Sequence, residues 1–192
     1  MPNAARDLSE FLDRPVGQGE KAPRNLVYMG AFIPYKNAET LIKSLAFLTP
    51  KRTLHLLSRI SPARKAQLMR LIPEGAKVIF HGGVSDDEYA KLLADDAIMV
   101  SASKAEGYGL PLAEALKLGV PAVVSDMEIF REVAGDGALY ADPDSPQDFA
   151  AKIASLDSQK HREQLVSTGQ KHIAKYSWDD SAKTLLDALD SL

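Results

Sequence analysis

The sequence predicts a doubly wound α/β fold, in which helices cover both faces of a parallel sheet of about six strands. From residue 25 onward, short apolar runs alternate with longer stretches of helical period. The apolar runs are nearly continuous, which is typical of strands that are buried on both faces. Because crossovers between parallel strands are right-handed, this order of elements builds a sheet with helices on both sides. The 192 residues are enough for one domain of this kind.

The predicted strands are short, and each is followed by a loop. They lie at Leu26–Met29, Thr53–Leu57, Lys77–Phe80, Ile98–Ser101, Pro121–Val124 and Ala138–Tyr140. In such Rossmann-like sheets, ligands bind at the carboxyl ends of the strands, near the point where the strand order reverses. The loops predicted to contain the ligand site are therefore 30–36, 58–61, 81–85, 102–110 and 125–128.

Capping residues predict where the helices begin. The predicted caps are Asn37, Ser61, Ser85, Asp126 and Ser145. The strongest signal is the capping box formed by Ser85 and Glu88. Pro111 opens a helix that ends near Gly119, and two further helical stretches finish the chain around Trp178.

The first 23 residues differ from the rest in being polar and in carrying proline and glycine in their second half. We expect them to be a linker or a truncation boundary, partly disordered, and we expect residues 24–192 to form the folded domain. The N-terminus lacks a signal-peptide pattern, and no apolar run approaches the roughly 20 residues of a membrane helix. These features favour a cytoplasmic protein, with peripheral attachment to the inner membrane left open.

The composition excludes several classes of protein. There is no cysteine, so a disulfide scaffold, a cysteine-based zinc site and thiol catalysis are ruled out. The formal charge of -3 without a basic stripe argues against nucleic-acid binding. The four histidines show no metal-ligand spacing, and no Asp-x-Asp follows a strand, so neither a metal nor another cofactor is expected.

The loop after the fourth predicted strand is the richest in functional residues. It reads Glu106-Gly-Tyr-Gly-Leu-Pro-Leu-Ala-Glu114 and leads directly into a helix. Its two glycines allow the backbone to approach a ligand closely, and a helix N-terminus is a natural seat for phosphate. The two glutamates lie on either side of that helix start. We expect both to face one cavity, where they accept hydrogen bonds from hydroxyls at opposite ends of a ligand.

This string resembles the Glu-x7-Glu motif of retaining glycosyltransferases with two Rossmann-like domains (the GT-B fold), especially family 4, also called group 1. Only the aromatic residue differs, with Tyr108 in place of phenylalanine. Other segments resemble the family in the same order, and together they cover residues 25 to 190. They are Val27-Tyr-Met-Gly30, Lys36-Asn37, Phe80-His-Gly82, Ser85-Asp-Asp-Glu88, Leu118-Gly119-Val-Pro-Ala-Val-Val-Ser125, Phe130-Arg-Glu-Val133, Asp142-Pro143 and Tyr176-Ser-Trp178.

The resemblance implies a role for each residue of the site. Glu114 would bind the ribose hydroxyls and Glu106 the donor sugar, while Lys36 would neutralise the diphosphate. Glu106 and Lys36 are the implied catalytic residues. The implied nucleotide-sugar-binding residues are Gly30, Lys36, His81, Gly82, Glu106, Gly107, Tyr108, Gly109, Leu110 and Glu114.

The resemblance implies a hexosyltransferase that is retaining and independent of metal, and that uses a nucleotide-diphospho-sugar as its substrate. This chain would be the donor-binding C-terminal domain, inactive without an N-terminal acceptor-binding partner domain. Phe130-Arg-Glu-Val133 and Asp142-Pro143 are similar to bacterial mannosyl- or rhamnosyltransferases of surface polysaccharide or lipopolysaccharide synthesis. This similarity favours GDP-mannose as the donor.

One position departs from the family pattern. Where members usually have an arginine after the first-loop glycine, this sequence has Ala31. Lys36 then has less help with the diphosphate, unless Arg59 or Lys104 takes the place of the arginine.

Two other enzyme classes lack their motif, and two alternatives remain open. The first loop has one glycine, which excludes the Gly-x-Gly-x-x-Gly of nicotinamide dehydrogenases, and no Gly-Lys-Ser/Thr of a P-loop occurs. The open alternatives are a non-catalytic nucleotide-sugar-binding module and a sugar-nucleotide epimerase or glycogen-synthase-like enzyme on the same fold.

Overall fold

The computed structural model describes residues 5–17 and 21–190. Six parallel strands form one sheet, and eight α-helices lie in this part of the chain. The strands are β1 Asn25–Tyr28, β2 Thr53–Leu56, β3 Lys77–Phe80, β4 Ala97–Ser101, β5 Ala122–Ser125 and β6 Leu139–Ala141. The helices are α1 Ala38–Ser44, α2 Pro62–Met69, α3 Asp86–Ala94, α4 Leu110–Leu118, α5 Glu128–Ala134, α6 Pro146–Ser155, α7 Gln159–Ile173 and α8 Trp178–Asp190. The doubly wound α/β prediction is confirmed, and each predicted strand lies within one residue of its observed bounds.

The strand order is β3-β2-β1-β4-β5-β6, and every pairing is parallel. The chain first builds the sheet outward from β1 through β2 to β3. It then returns to the other side of β1 and continues from β4 to β6. The order therefore reverses between β1 and β4, where Leu26 is aligned with Ile98. In an open parallel sheet, the crevice at the carboxyl ends of these two strands is the expected ligand site.

The core consists of two layers, one on each face of the sheet. Successive strand residues alternate between them, so that Val27 and Met99 face one layer while Leu26 and Ile98 face the other. The first layer is completed by buried residues of α3, α4 and α5, and the second by residues of α1, α2 and α6. Both faces of the sheet are thus covered, which explains why the strands read as continuous apolar runs.

Three predicted caps are confirmed, Asn37 occupies its predicted position without a capping bond, and Asp126 is wrong. Ser61, Ser85 and Ser145 each accept a hydrogen bond at a helix N-terminus, and Ser85 forms its capping box with Glu88. Asn37 stands at the start of α1 but makes no capping bond. Its backbone is left-handed, with φ of 51°, and its side chain donates to the Pro143 carbonyl at 2.7 Å.

Asp126 does not cap the fifth helix, because α5 begins two residues later and Met127 occupies the cap position. The carboxylate of Asp126 instead accepts hydrogen bonds from Arg131, at 2.6 and 2.8 Å. An ion pair with the following helix has replaced the predicted capping bond.

The segment predicted as a linker or boundary contains a 3-10 helix, Leu8–Phe11, which Asp7 caps through the Ser9 N–H. Leu8 is only 1% exposed and packs into the first core layer. Residues 5–17 therefore contribute apolar side chains to the domain. Residues 1–4 and 18–20, where part of the predicted disorder falls, lie outside the described residues. The role of this segment as a linker or boundary stays a prediction.

Candidate functional site

The loops that follow β1 and β4 meet at the carboxyl edge of the sheet. The Lys104 N–H donates to the Tyr35 carbonyl at 2.7 Å, which fastens the two loops together. A short 3-10 helix, Pro34–Lys36, closes the first loop and carries Lys36 toward the second. There the Lys36 Nζ lies 2.6 Å from the Glu106 Oε2. The reversal of strand order has therefore brought together the two residues predicted to be catalytic.

The ion pair of Lys36 and Glu106 is partly buried, with side chains 19% and 14% exposed. A charge-assisted hydrogen bond of this length in a partly dry site is stronger than a surface ion pair. The pair joins a group that attracts anions to a group that accepts hydroxyl hydrogen bonds. An anionic ligand that reaches Lys36 will therefore also approach the carboxylate of Glu106.

A cavity of about 320 Å³ lies beside this pair. Four predicted site residues line it: Gly30, Lys36, Glu106 and Gly109. The remaining lining residues are Met29, Ala31, Met99, Ser101, Pro111, Leu112 and Phe130. A larger groove of about 830 Å³ lies between the N-terminal segment and α3, but its walls contain none of the predicted site residues. The smaller cavity is therefore the candidate site.

Two of the cavity glycines have structural reasons to be glycine. Gly109 has φ of +92°, and a Cβ there would lie 2.6 Å from the ring of Phe130. At Gly30 a Cβ would lie 2.8 Å from the hydroxyl oxygen of Tyr28. A side chain at position 30 would therefore crowd the Tyr28 ring even without a ligand.

The N-terminal end of α4 lies at the cavity, whose lining includes Gly109, Pro111 and Leu112. Gly109 is the cap residue, and its carbonyl already accepts from the N–H groups of Leu112 and Ala113. Pro111 has no N–H. Of the cavity-lining residues Gly109, Pro111 and Leu112, only Gly109 therefore has an N–H left for a ligand. A helix N-terminus also carries partial positive charge, which favours a phosphate there.

The three remaining residues of this loop do not line the cavity. Gly107 and Leu110 are exposed, and a Cβ on Gly107 would meet nothing within 4 Å. Tyr108 packs against the first core layer, and its hydroxyl is buried without a hydrogen-bond partner among the described residues. Burial and the nearby Tyr176 and Glu132 raise the pKa of Tyr108. The Tyr108 side chain therefore serves packing in this structure.

Glu114 lies on the buried face of α4 and does not line the cavity with Glu106. Its residue surface is 3% exposed, and its Oε1 accepts from the Arg6 Nε at 2.8 Å. Burial raises the pKa of the Glu114 carboxyl above its ordinary value, and the hydrogen bond from Arg6 offsets that rise only in part. The sequence predicted that both glutamates face one cavity, but only Glu106 lines this cavity. Arg6 was not predicted, and nothing local in the sequence points to it.

His81 and Gly82 follow β3, two strands away from β1. The His81 ring stacks on His55, with centroids 5.2 Å apart, and its Nε2 lies 3.0 Å from the His55 Nδ1. Burial and the nearby charges of His81 and Lys77 lower the pKa of His55. Gly82 has φ of +82° and open space around it. Neither His81 nor Gly82 lines the cavity, so their predicted role in nucleotide-sugar binding stays a prediction.

Neither proposed substitute for an arginine at position 31 contacts the Lys36–Glu106 pair. Lys104 forms an ion pair with Asp144. Arg59 is exposed and packs its side chain against Gly83, in the loop after β3. Ala31 itself lines the cavity, so this wall presents a methyl group where a cation is usual in the family.

Several lining residues were missed at the level of sequence. Ser101 is the last residue of β4. Its position at the carboxyl end of a predicted strand could have identified it as a lining residue. Met29 likewise follows β1 directly. Phe130 had no such signal, because it reaches the cavity from α5 by packing over Gly109.

Residues 5–17 and 21–190 contain no group of three or more His, Asp or Glu side chains placed to hold a metal ion. In the same ranges, no helix is both long and apolar enough to span a bilayer.

The chain is similar to known glycosyltransferases in both sequence and fold. Residues 11–172 match the family described as glycosyl transferases group 1. The O-antigen chain mannosyltransferase B of Escherichia coli is 30% identical over 169 residues, which are 84% of this chain and 44% of that protein. The O-antigen chain mannosyltransferase RfbU of Salmonella typhimurium is 32% identical over 154 residues, 79% of this chain and 43% of that one. The chain thus spans less than half the length of these relatives.

The fold is similar to that of Anabaena Alr3699/HepE, solved in complex with UDP and glucose. The two superpose with a TM-score of 0.81 at 19% identity, over 98% of this chain and 55% of that one. At this identity the likeness concerns the fold alone. It agrees with the observed parallel sheet and with helices on both of its faces.

Proposed function

Because this chain belongs to the glycosyl transferases group 1 family, we propose that it binds the nucleotide-diphospho-sugar donor of a hexosyl transfer reaction. The observation that carries the proposal is the Lys36–Glu106 pair, at 2.6 Å, beside a cavity at the reversal of strand order. Lys36 is the cation for the diphosphate, and Glu106 is the acceptor for hydroxyls of the sugar. The backbone of Gly107–Leu110 donates to the phosphates and to the sugar.

The cavity size supports binding of part of the donor. About 320 Å³ is near the lower end of small-molecule sites, which run from roughly 300 to 1,000 Å³. It suits the hexose with one phosphate. The nucleoside then extends toward Glu114 and the loop of His81 and Gly82, with the ribose hydroxyls donating to Glu114.

The chemistry we propose is retaining and independent of metal. Cleavage of the bond between sugar and phosphate leaves a cationic sugar and a diphosphate with additional negative charge. Lys36, the N-terminus of α4 and backbone N–H groups stabilise that charge where it develops. Glu106 lies beside the sugar and stabilises its positive charge. Added Mg²⁺ or a chelator should leave the transfer rate unchanged.

We further propose that the donor is GDP-mannose and that the acceptor belongs to bacterial surface polysaccharide synthesis. The support is the activity named for the relatives in Escherichia coli and Salmonella typhimurium, both O-antigen chain mannosyltransferases. Their greater length supports a second proposal, that this chain is the C-terminal domain of a family 4 enzyme. An N-terminal, acceptor-binding domain would then complete the cytoplasmic enzyme, and the isolated chain would transfer sugar poorly.

A module that binds nucleotide sugars without transferring them is the second candidate. Ala31 favours it, because the cavity wall there lacks a cation that would help the diphosphate leave. Transfer by the longer protein distinguishes the two candidates, since a binding module would retain affinity for the donor and form no product.

Amide chemical-shift mapping with GDP-mannose, GDP and UDP tests the location of the site. We expect the largest shifts in residues 29–37 and 102–114, with smaller ones in 81–85. Shifts confined to the larger groove near Phe11 and Lys91 would contradict the proposal.

A further inference from the structure

A second ion-pair cluster lies outside the cavity and joins three elements of the fold. Arg6 comes from the N-terminal segment, Glu114 from α4 and Asp86 from the first turn of α3. The Arg6 Nε lies 2.8 Å from the Glu114 Oε1, and its Nη1 lies 2.8 Å from the Asp86 Oδ2. The guanidinium therefore connects the start of α3 to α4.

The exposures of the three side chains differ greatly. Glu114 is 4% exposed, whereas Arg6 and Asp86 are 53% and 51% exposed. An ionised carboxylate is costly to bury unless it is paired and hydrogen-bonded. Glu114 is therefore the member of the cluster that depends on its partner.

Arg6 is the cation that pairs with the buried carboxylate of Glu114. The charged groups acting on Glu114 are Arg6 and Asp86, and Asp86 repels the carboxylate. The charges of Glu114 and Arg6 both act on the hydroxyl of Tyr89 on α3. That hydroxyl is nevertheless buried without a hydrogen-bond partner among the described residues. Tyr89 thus gives Glu114 no hydrogen bond, and among the described residues Arg6 is the cation that offsets the burial of Glu114.

The backbone around Arg6 is fixed independently of this contact. Ala5 and Leu8 are buried in the first core layer, and Asp7 caps the 3-10 helix that follows. Because its backbone is anchored on both sides, the guanidinium loses less conformational freedom when it pairs.

We propose that Arg6 is a positioning residue for the nucleotide, which it serves by holding Glu114 ionised and oriented toward the ribose. The inference rests on the proposed function of Glu114. Arg6 binds Oε1, and in this proposal Oε2 accepts a hydrogen bond from the ribose. Arg6, Glu114 and Asp86 together carry a net charge of about -1 at neutral pH. This corner of the site therefore selects neutral hydroxyl donors and disfavours phosphate, which orients the nucleotide with its diphosphate toward Lys36.

The test compares Arg6→Gln and Arg6→Lys with the wild-type chain. Arg131 offers a matched control, because its side chain is also 53% exposed and its Nε lies 2.6 Å from a carboxylate, that of the exposed Asp126. Two quantities are measured: the pKa of the Glu114 carboxyl by carbon-13 NMR without nucleotide, and the affinity for GDP and UDP between pH 5.5 and 8.5 by calorimetry.

In Arg6→Gln we expect the pKa of Glu114 to rise, since a stabilising cation is lost. Below the new pKa, each unit of increase reduces the ionised fraction about tenfold, so affinity falls at low pH and recovers as the pH rises. Arg6→Lys should restore the wild-type profile, and Arg131→Gln should leave it unchanged.

An unchanged pKa of Glu114 in Arg6→Gln would overturn the inference, and this arm needs no nucleotide. The inference would also be overturned if Arg6→Gln lost affinity equally at every pH and Arg6→Lys did not restore it, because that pattern indicates damage to the fold. Absence of nucleotide binding by the wild-type chain would instead contradict the proposed function itself.

Discussion

At the scale of single residues, the two glutamates of one motif have different environments. Glu106 is paired with Lys36 at the cavity, whereas Glu114 is buried beside Arg6. The motif in the sequence predicted a role in ligand binding for both glutamates, and that role stays a prediction. It could not predict their partners, since Lys36 and Arg6 lie 70 and 108 residues away along the chain. Such pairings depend on strand order and on packing of the N-terminal segment.

Glutamine substitutions separate the roles of the two glutamates. Glu114→Gln should weaken binding of GDP or UDP roughly 10- to 100-fold, because hydrogen bonds to a charged group are worth about 1.5–3 kcal/mol. Glu106→Gln should leave free nucleotide binding unchanged or improve it, since Lys36 is released from its partner. The sugar-bearing ligand alone should lose affinity. Equal losses of free-nucleotide affinity in both variants would refute this division.

At the scale of elements, the start of α4 shows what sequence patterns can and cannot predict. Pro111 and the glycines predicted a helix start at the ligand edge, and α4 begins one residue earlier, at Leu110. Ser85 and Glu88 predicted their capping box because that motif is complete within four residues. Asn37 occupies the predicted cap position but makes no capping bond, because its side chain bonds Pro143, which is distant in sequence. Local signals succeed where the bonding partner is local.

The two glycines before α4 should respond differently to alanine. Gly109→Ala should lower the free energy of unfolding by about 1–3 kcal/mol, because φ is +92° and the Cβ would meet Phe130. Gly107→Ala should change it by about 0.5 kcal/mol or less, because the residue is exposed with open space around it.

The effect of Gly107→Ala on ligand binding should be larger than its effect on stability. We expect Gly107→Ala to weaken nucleotide-sugar binding while the protein stays folded, since the added methyl group keeps the ligand from the backbone. Denaturant unfolding and calorimetry measure the two effects separately. A Gly107→Ala variant that binds as well as wild type would show that no ligand approaches this backbone.

At the scale of the whole molecule, alternation of strands and helices predicted the fold class but not the strand order. The order β3-β2-β1-β4-β5-β6 places the loops after β1 and β4 side by side. That adjacency joins Lys36 to Glu106 and forms the cavity. The chain spans 44% and 43% of the length of two relatives, so sugar transfer by a longer protein stays a proposal. Donor binding is the part of the proposal that this chain can test alone.

Calorimetric titration of the chain with GDP, UDP, GDP-mannose and UDP-glucose tests the central claim most directly. We predict that at least one nucleotide sugar binds with a dissociation constant between roughly 1 μM and 1 mM, the usual range for enzyme substrates. Lys36→Ala should weaken that binding, because the diphosphate loses its cation. Binding by none of the four ligands at millimolar concentration, by a chain that remains folded, would contradict the account.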